Sequence, residues 1–345
     1  MNGRPHVTLE DVAQVASVSL ATASRVLNGT TNVRQDLRER VLSAAADLAY
    51  TPNAHAQALA GASHRTVGVV CHDVSDPYFA AVARGVMRVA DQNGLLVMLA
   101  NTFREPEKEI AYVSMLRAQR ASAILLVGSG FEDRTWARAL TAELEPYRRG
   151  GGHVAVVSRH RNLRVDTVQP DNRAGAKALA EEMLRLGHRK YAVLSGPRSL
   201  TTVLDRLEGF TEGLAAAGVR LSDQDIFEAS FTRDGGYAAA GDLLAAKHKA
   251  TCVFAVADVM AIGALTALRE AGRSVPEDVS LAGFDDIPVV RDLSPPLTTV
   301  ALPLERLGEQ AMELALNNGG GTRSRVRRLP AEVVLRESTA RRRRR

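Results

Sequence analysis

Between Val7 and Leu48 the apolar positions recur with helical spacing. Leu9, Val12, Ala13 and Ala16 fall at i, i+3, i+4 and i+7, one face of a helix. Thr8 precedes them and Asp11 lies three residues on, a capping-box pattern in which hydroxyl and carboxylate satisfy free N–H groups at a helix start. Ser17-Val18 breaks the period. Ser19 is then placed to cap a second helix over 20–27, with Ala23, Val26 and Leu27 on its apolar face and Asn28-Gly29 as its stop. Two helices this short bury little surface, and Leu37, Val41, Ala44 and Leu48 supply a third. The spacing predicts a three-helix unit over 7–52, preceded by a loose arm, 1–6. Residues 53–64 have helical composition but too few apolar positions to pack alone, so they read as a linker ordered only when something supports it.

From Thr66 the period changes. TVGVVC is the short, β-branched apolar run of a buried parallel strand. Strands are predicted over 95–100, 123–127, 154–157, 191–194, 252–255 and 279–282. Helices are predicted over 78–91, 107–118, 174–186, 204–217, 236–246, 259–271 and 304–316. Such alternation implies open parallel sheets with helices on both faces. There are too many units for one sheet, and a second α/β unit begins after Pro170-Asp171-Asn172-Arg173. In these folds ligands bind beyond the carboxyl ends of the strands.

At 345 residues two or three domains are expected, with cores built largely from Ala, Val and Leu. The apolar runs are too short for a membrane helix. The start of the chain lacks a basic segment followed by an apolar one, so no secretory signal is read there. Cys71 and Cys252, each in a strand-like run, suit buried reduced thiols and a cytoplasmic location. The formal charge of +5 carries no information about nucleic acid, because removing the five arginines 341–345 brings it to zero. Residues 339–345 are expected to be a disordered tail that adds at most sequence-independent phosphate attraction.

The second helix exposes Leu20, Ala21, Thr22, Ser24 and Arg25 on its polar side. A helix-turn-helix sets its second helix in the DNA major groove with its first residues against base edges. Arg25 is suited to a bidentate contact with guanine. A plain three-helix cap with solvated polar residues is the alternative. The stretch VTLEDVAQVASVSLATASRVLN followed by YTPNAHAQALAG resembles the signature of the lactose-repressor (LacI/GalR) family of bacterial transcription regulators, and the similarity runs to about Ser338.

The resemblance implies an N-terminal all-α helix-turn-helix domain and an α/β, two-lobed, periplasmic-binding-protein-like core of doubly wound parallel sheets, crossed by three chain segments. Lobe one is expected at about 65–166 and 297–328, lobe two at about 167–296 and 329–338. It implies a homodimer on a palindromic double-stranded operator. Leu20, Ala21, Ser24 and Arg25 would choose bases; Thr8, Ser19, Thr22, Asn28 and Asn53 would hold phosphates; Tyr50 joins this DNA-facing set. Residues 53–64 would be the hinge helix, with Leu59 wedged into the minor groove at the operator centre. An ordinary linker leucine packing on the core is the other reading of Leu59.

The same resemblance implies a small-molecule effector, a sugar or sugar phosphate, between the lobes. Tyr78 and Phe79 sit in a motif similar to the family's N-P-Y-F, although Phe79 equally suits a helix-start staple. Arg159 stands near where the family more often has Asp, and is open to an acidic ligand or to a salt bridge. Beyond Thr202, Arg206 with Gly209 and Phe210 matches R-x-x-G-F, whose Arg hydrogen-bonds ligand. Leu200 stands where a purine-responsive member would carry Arg, which argues against a purine. Phe231 matches a ring-stacking position. Asp258 follows Ala257 where the family has Asn-Asp, so that Asn amide is missing, and Asp285 matches a ligand-contacting Asp. For Asp258 and Asp285 the plain alternative is helix capping.

Enzyme readings fail on the motifs. Gly128-Ser129-Gly130 is followed by Asp133, which breaks the dinucleotide fingerprint, and no phosphate-binding loop, H-E-x-x-H, paired C-x-x-C or G-x-S-x-G occurs. His153 and His160 lack metal-ligand spacing. No catalysis, cofactor or metal is expected. A secreted solute-binding protein would need a signal peptide and no helix-turn-helix. The reading is a DNA-binding regulator, most readily a repressor, acting at the nucleoid of a bacterial cytoplasm.

Overall fold

The computed structural model describes residues 7–27, 33–51, 66–317 and 324–342. The chain divides into two compact units, Met1–His64 and Arg65–Arg345. The arm 1–6, Asn28, Asn53, Leu59 and the whole linker 53–64 lie outside the described residues.

The first unit contains α1 (Leu9–Val15), α2 (Leu20–Leu27) and α3 (Gln35–Asp47). Its core is Val12, Ala13, Ala16, Ala23, Val26, Val41, Ala44 and Ala45, the face that the periodicity marks. The capping box forms: Thr8 N donates to Asp11 Oδ2 at 2.8 Å, and Asp11 N to Thr8 Oγ1 at 3.3 Å. Ser17, with φ of 50°, makes the turn between α1 and α2. Arg40 of α3 secures that turn by donating to the carbonyls of Ala16 and Ser17.

The second unit is built on two parallel sheets. Its strands are β1 (Thr66–Cys71), β2 (Leu96–Asn101), β3 (Ala123–Val127), β4 (His153–Val157), β5 (Asp166–Pro170), β6 (Tyr191–Ser195), β7 (Ile226–Glu228), β8 (Cys252–Ala255), β9 (Ser280–Ala282), β10 (Thr299–Ala301), β11 (Val326–Leu329) and β12 (Glu332–Val334). Its helices are α4 (Pro77–Gln92), α5 (Pro106–Ala118), α6 (Arg134–Arg149), α7 (Asn172–Arg185), α8 (Thr201–Ala215), α9 (Arg233–Ala245), α10 (Asp258–Glu270) and α11 (Leu304–Leu316). One sheet runs β11-β5-β4-β3-β1-β2, the other β7-β6-β8-β9, and β10 pairs antiparallel with β12.

Several expectations need correction. The first lobe's sheet includes β5, so that lobe extends to Pro170 rather than ending at 166. Within 297–328, expected wholly in lobe one, residues 298–301 bridge Ala282 and Asp285 of the second lobe, and only α11 and β11 return to the first. A disordered tail was expected from 339, but its described residues have fixed partners. Ala340 N donates to Ser280 Oγ and Arg342 N to Leu186 O, so the described part of 339–345 is tied to the second lobe. Helix α6 is an additional element. Trp136, Ala137, Leu140, Leu144 and Tyr147 give it a buried face, with Pro146 near its end.

Candidate functional site

On α2, Leu20, Ala21 and Arg25 are exposed and Thr22 and Ser24 are half-buried. Ser19 Oγ accepts from Thr22 N at 3.2 Å, and Arg25 Nε donates back to Ala21 O at 3.1 Å. Thr8 is exposed at the start of α1. Tyr50 packs half-buried against the three-helix core. The first turns of α2 thus offer a short polar and small-residue surface carrying one cation.

The carboxyl ends of the two core sheets meet at a crevice. His72, Asp76, Tyr78, Phe79, Arg104, Gly128, Ser129 and Ser158 line it from the first lobe, and Thr202, Arg206, Phe231 and Asp285 from the second. The space left between these side chains is about 20 Å³, room for about one water. Asp76 caps α4 by accepting from Tyr78 N at 2.9 Å, and Pro77 sits in the first turn, where its missing N–H costs nothing. That start fixes Tyr78 and Phe79 at the mouth, ring edge to ring face at 5.0 Å.

Arg206 is the polar centre of the crevice. Its Nε donates to Asn172 Oδ1 at 3.0 Å, Nη1 to Val256 O at 2.6 Å and Nη2 to Asp285 Oδ1 at 2.6 Å, while its plane lies 3.9 Å from the centroid of the Phe284 ring. One guanidinium thereby ties α7, α8, the end of β8 and the loop after β9. Asp285 holds φ of 117°, a strained conformation for a non-glycine residue. Burial pushes its carboxyl up to about 6 despite Arg206.

Arg104, in the loop after β2, lies over the rings of Phe79 (5.9 Å) and Phe231 (5.3 Å). Its nearest carboxylate, Asp76, is 4.0 Å away, and its buried Nε has no acceptor. Two glycines shape the walls. A Cβ on Gly196 would sit 2.5 Å from Phe231 Cδ2, and Gly128, at φ of 138°, passes against the His72 ring. Burial, then the nearby Arg104 and His160, drive His72 down to about 3, and burial drives His160 down to about 4, so both are neutral.

Six of the eight expected effector residues therefore meet here: Tyr78, Phe79, Thr202, Arg206, Phe231 and Asp285. Arg159 does not line the crevice. Its guanidinium pairs with Asp205 across the lobes, Nη2 to Oδ1 at 2.6 Å and Nε to Oδ2 at 3.1 Å, the geometry of a salt bridge. Asp258 is placed differently from the expectation. It is fully buried, with Thr299 Oγ1 donating to its Oδ1 at 2.6 Å and Ile287 N to its Oδ2 at 2.9 Å, so it joins chain segments rather than facing ligand or capping α10. Leu200 is buried and bridged to Phe131 in the core rather than lining the crevice. His72, Arg104, Ser129 and Ser158 were missed. His72 and Ser158 directly follow β1 and β4, and Ser129 lies two residues past β3, where the strand-end rule would find them.

Burial, then Asp285, raises Asp258 to about 8. A carboxyl raised on folding stabilises only while protonated, so its contribution is lost as pH rises through that value. Denaturant unfolding is expected to show the core losing stability between pH 6.5 and 8, by an amount on the order of 1–2 kcal/mol. Asp258→Asn, which mimics the protonated acid, should flatten that slope; an unchanged slope would assign it to another group.

Residues 8–53 match the bacterial regulatory proteins of the lacI family, and residues 180–339 match a periplasmic binding protein-like domain. The HTH-type transcriptional regulator DegA of Bacillus subtilis is 33% identical over 339 residues, covering 96% of this chain and 98% of its own. The chain belongs to the LacI family. GalS of Salmonella typhimurium, another HTH-type regulator, is 36% identical over 92% of this chain and 91% of its own. Among solved structures, the lac repressor dimer bound to operator and the anti-inducer ONPF superposes with a TM-score of 0.83 at 28% identity, over 97% of this chain and 99% of that one. The CelR–cellobiose complex gives 0.70 at 30% identity, over 97% and 100%. As a LacI-family member the chain is a DNA-binding transcriptional regulator, and the relatives it matches are regulators, not enzymes. Among the described residues no helix is long and apolar enough to cross a membrane, and no cluster of side chains is arranged to hold a metal ion.

Proposed function

We propose that the protein is a dimeric repressor of the bacterial cytoplasm whose hold on a palindromic operator is set by a hydroxyl-rich small molecule, a sugar or sugar phosphate, between the core lobes. The observation that carries this reading is the crevice itself: a cation with an unmatched buried donor, Arg104, between two aromatic faces and opposite the Arg206–Asp285 pair. Rings cover the apolar faces of a sugar, carboxylates accept from its hydroxyls, and a guanidinium donates to hydroxyl or phosphate oxygen. The sugar complex of CelR supports the same ligand class. Ligand pockets run from about 300 Å³ upward, so the lobes part to admit it. Their angle then couples the ligand to the DNA-binding unit, with coupling of about 1–3 kcal/mol.

The lobes are stitched together beside the crevice. Thr201 N donates to Gly130 O at 2.9 Å, Glu132 N to Ser199 O at 2.7 Å, and Thr202 N to Ser129 Oγ at 2.8 Å. The Arg159–Asp205 pair adds a charged lock to these bonds. Burial keeps Asp205 above its ordinary carboxylate value, with Arg159 acting against that rise. Arg159→Asp should favour the open core and strengthen ligand binding. The swap with Asp205→Arg should restore both, with a coupling energy of about 0.5–3 kcal/mol. Small-angle scattering and ligand titration read this, and additive single effects would remove the lock.

The dimer is assigned to the β2 edge. Leu96 (67% exposed) on that edge strand, Phe103 (63%) and Met115 (62%) present apolar surface that a second copy would cover. Leu96→Lys is expected to give monomers at micromolar concentration in sedimentation, where the parent chain is dimeric. An unaltered dimer would place the interface elsewhere.

The deciding experiment is a thermal-shift screen of the full chain against sugars, sugar phosphates, nucleosides and purine bases. A ligand at 100 times its Kd adds about 2.7 kcal/mol, a shift of a few degrees. A sugar or sugar phosphate that shifts melting and changes operator binding supports the reading. A purine or nucleoside that does so replaces it.

A further inference from the structure

We infer that the end of the second lobe at the amino-terminal edges of β8 and β9 is a docking surface for an acidic, partly apolar segment of another protein. A groove of about 490 Å³ opens there between the carboxyl-terminal ends of α9 and α10. Leu243, Leu268 and Val279 form its buried floor, with half-buried Leu244 beside them. Exposed Lys247, Lys249 and Arg273 form its rim. Among the described residues these three cations meet no carboxylate. One acid lines the groove with them: Asp278, whose Oδ2 accepts from Ser274 N at 2.9 Å. Asp225 Oδ1, close by, pairs with His248 Nε2 at 3.0 Å.

The C-terminal segment arrives at the same end. Ala340 N donates to Ser280 Oγ, the Ala340 carbonyl meets His188 Nε2, and the other nitrogen of His188 meets Thr251 Oγ1. Ser280 and Thr251 are the chain neighbours of Val279 and Ala250, which line the groove. Arg342 is held by its N–H to Leu186 O, and Arg341 and Arg342 are exposed, with three further arginines following in the sequence.

Helix dipoles favour a cation or two at the carboxyl ends of α9 and α10, which accounts for Lys247 and Arg273. They do not account for Lys249 or for arginines delivered by a separate chain segment. Three cations against the one lining carboxylate, Asp278, leave the groove with an excess of positive charge that attracts an anionic partner. The apolar floor decides which kind. A phosphate backbone fills no apolar groove, whereas a protein segment supplies carboxylates and apolar side chains together. Arg341 and Arg342 are exposed on the segment that ends at the same end of the lobe.

The test uses the full chain and a displayed library of short peptide segments, selected on the parent protein and counter-selected on Lys247→Glu/Lys249→Glu. The expected binders that distinguish the two combine Asp or Glu with Leu, Ile or Phe. They lose about tenfold or more in affinity, roughly 1.4 kcal/mol, on charge reversal and on Leu244→Ser, while operator binding is unchanged. The charge-reversal arm touches only exposed positions, so it stands even if Leu244→Ser destabilises the fold. Three results would overturn the inference: no segment that distinguishes the two proteins; distinguishing segments that are acidic but lack apolar residues and ignore Leu244→Ser; or a charge reversal that instead weakens binding to operator-free duplex DNA, which would make the surface a nucleic-acid contact.

Discussion

Replacing Arg206 by Met is expected to cost the core about 3–5 kcal/mol and to abolish its response to ligand. The side chain is only 2% exposed and makes three hydrogen bonds to groups far apart in sequence: the Asn172 amide, the Val256 carbonyl and the Asp285 carboxylate. Removing it leaves Asp285 buried without its counter-charge, on a backbone already held at positive φ. Asp285 would then take up a proton or draw in water, and the loop after β9 would lose its anchor to α8. Arg206→Lys separates charge from geometry. An ammonium keeps the charge but lacks the planar fork that reaches all three acceptors, so an intermediate loss is expected. Urea unfolding measures the stability, and the thermal shift with the ligand found by screening measures the response. If Arg206→Met were as stable as the parent and merely bound ligand more weakly, Arg206 would be a ligand contact with no structural role.

The second large effect belongs to the DNA-binding unit. Arg25→Ala should relax discrimination at one base pair of each operator half-site by about 1–3 kcal/mol, with little change in folding, because Arg25 is exposed and its only described bond is to Ala21 O within its own helix. Binding to a set of operator variants reads this directly. Equal weakening on every sequence, with a shallower salt dependence, would make Arg25 a phosphate contact instead. The neighbours Leu20 and Ala21 are exposed on the same helix, and their effects should fall on adjacent base pairs.

What the sequence determined by itself was whatever depends on near neighbours. The three helices of the first unit were legible because an amphipathic period and a capping box act within four residues, and the buried face matches the periodic positions. Strands β3 and β8 and helix α11 coincide with their expected ranges, because each is an uninterrupted apolar run or a clear helical stripe. Tyr78, Phe79 and Asp285 were legible because a parallel sheet sends the residues after its strands to a common edge, whereas Arg206 and Phe231 were legible only through their match to the family's motifs. β5, with the sequence DTVQP, was not legible. It has no apolar run and becomes a strand through its ladders to β4 and β11. The short β7, β10 and β12 are strands for the same reason. The tertiary structure also decided which charges meet. Arg159 finds Asp205 46 residues away, and Arg206 finds Asp285 79 residues away. Asp258 is drawn into a buried bond with Thr299, and the last described arginines are fastened to the second lobe. Periodicity reports which face of an element is buried, but a buried polar group must be satisfied by whatever the fold brings within reach, and that partner is written nowhere near it in the chain.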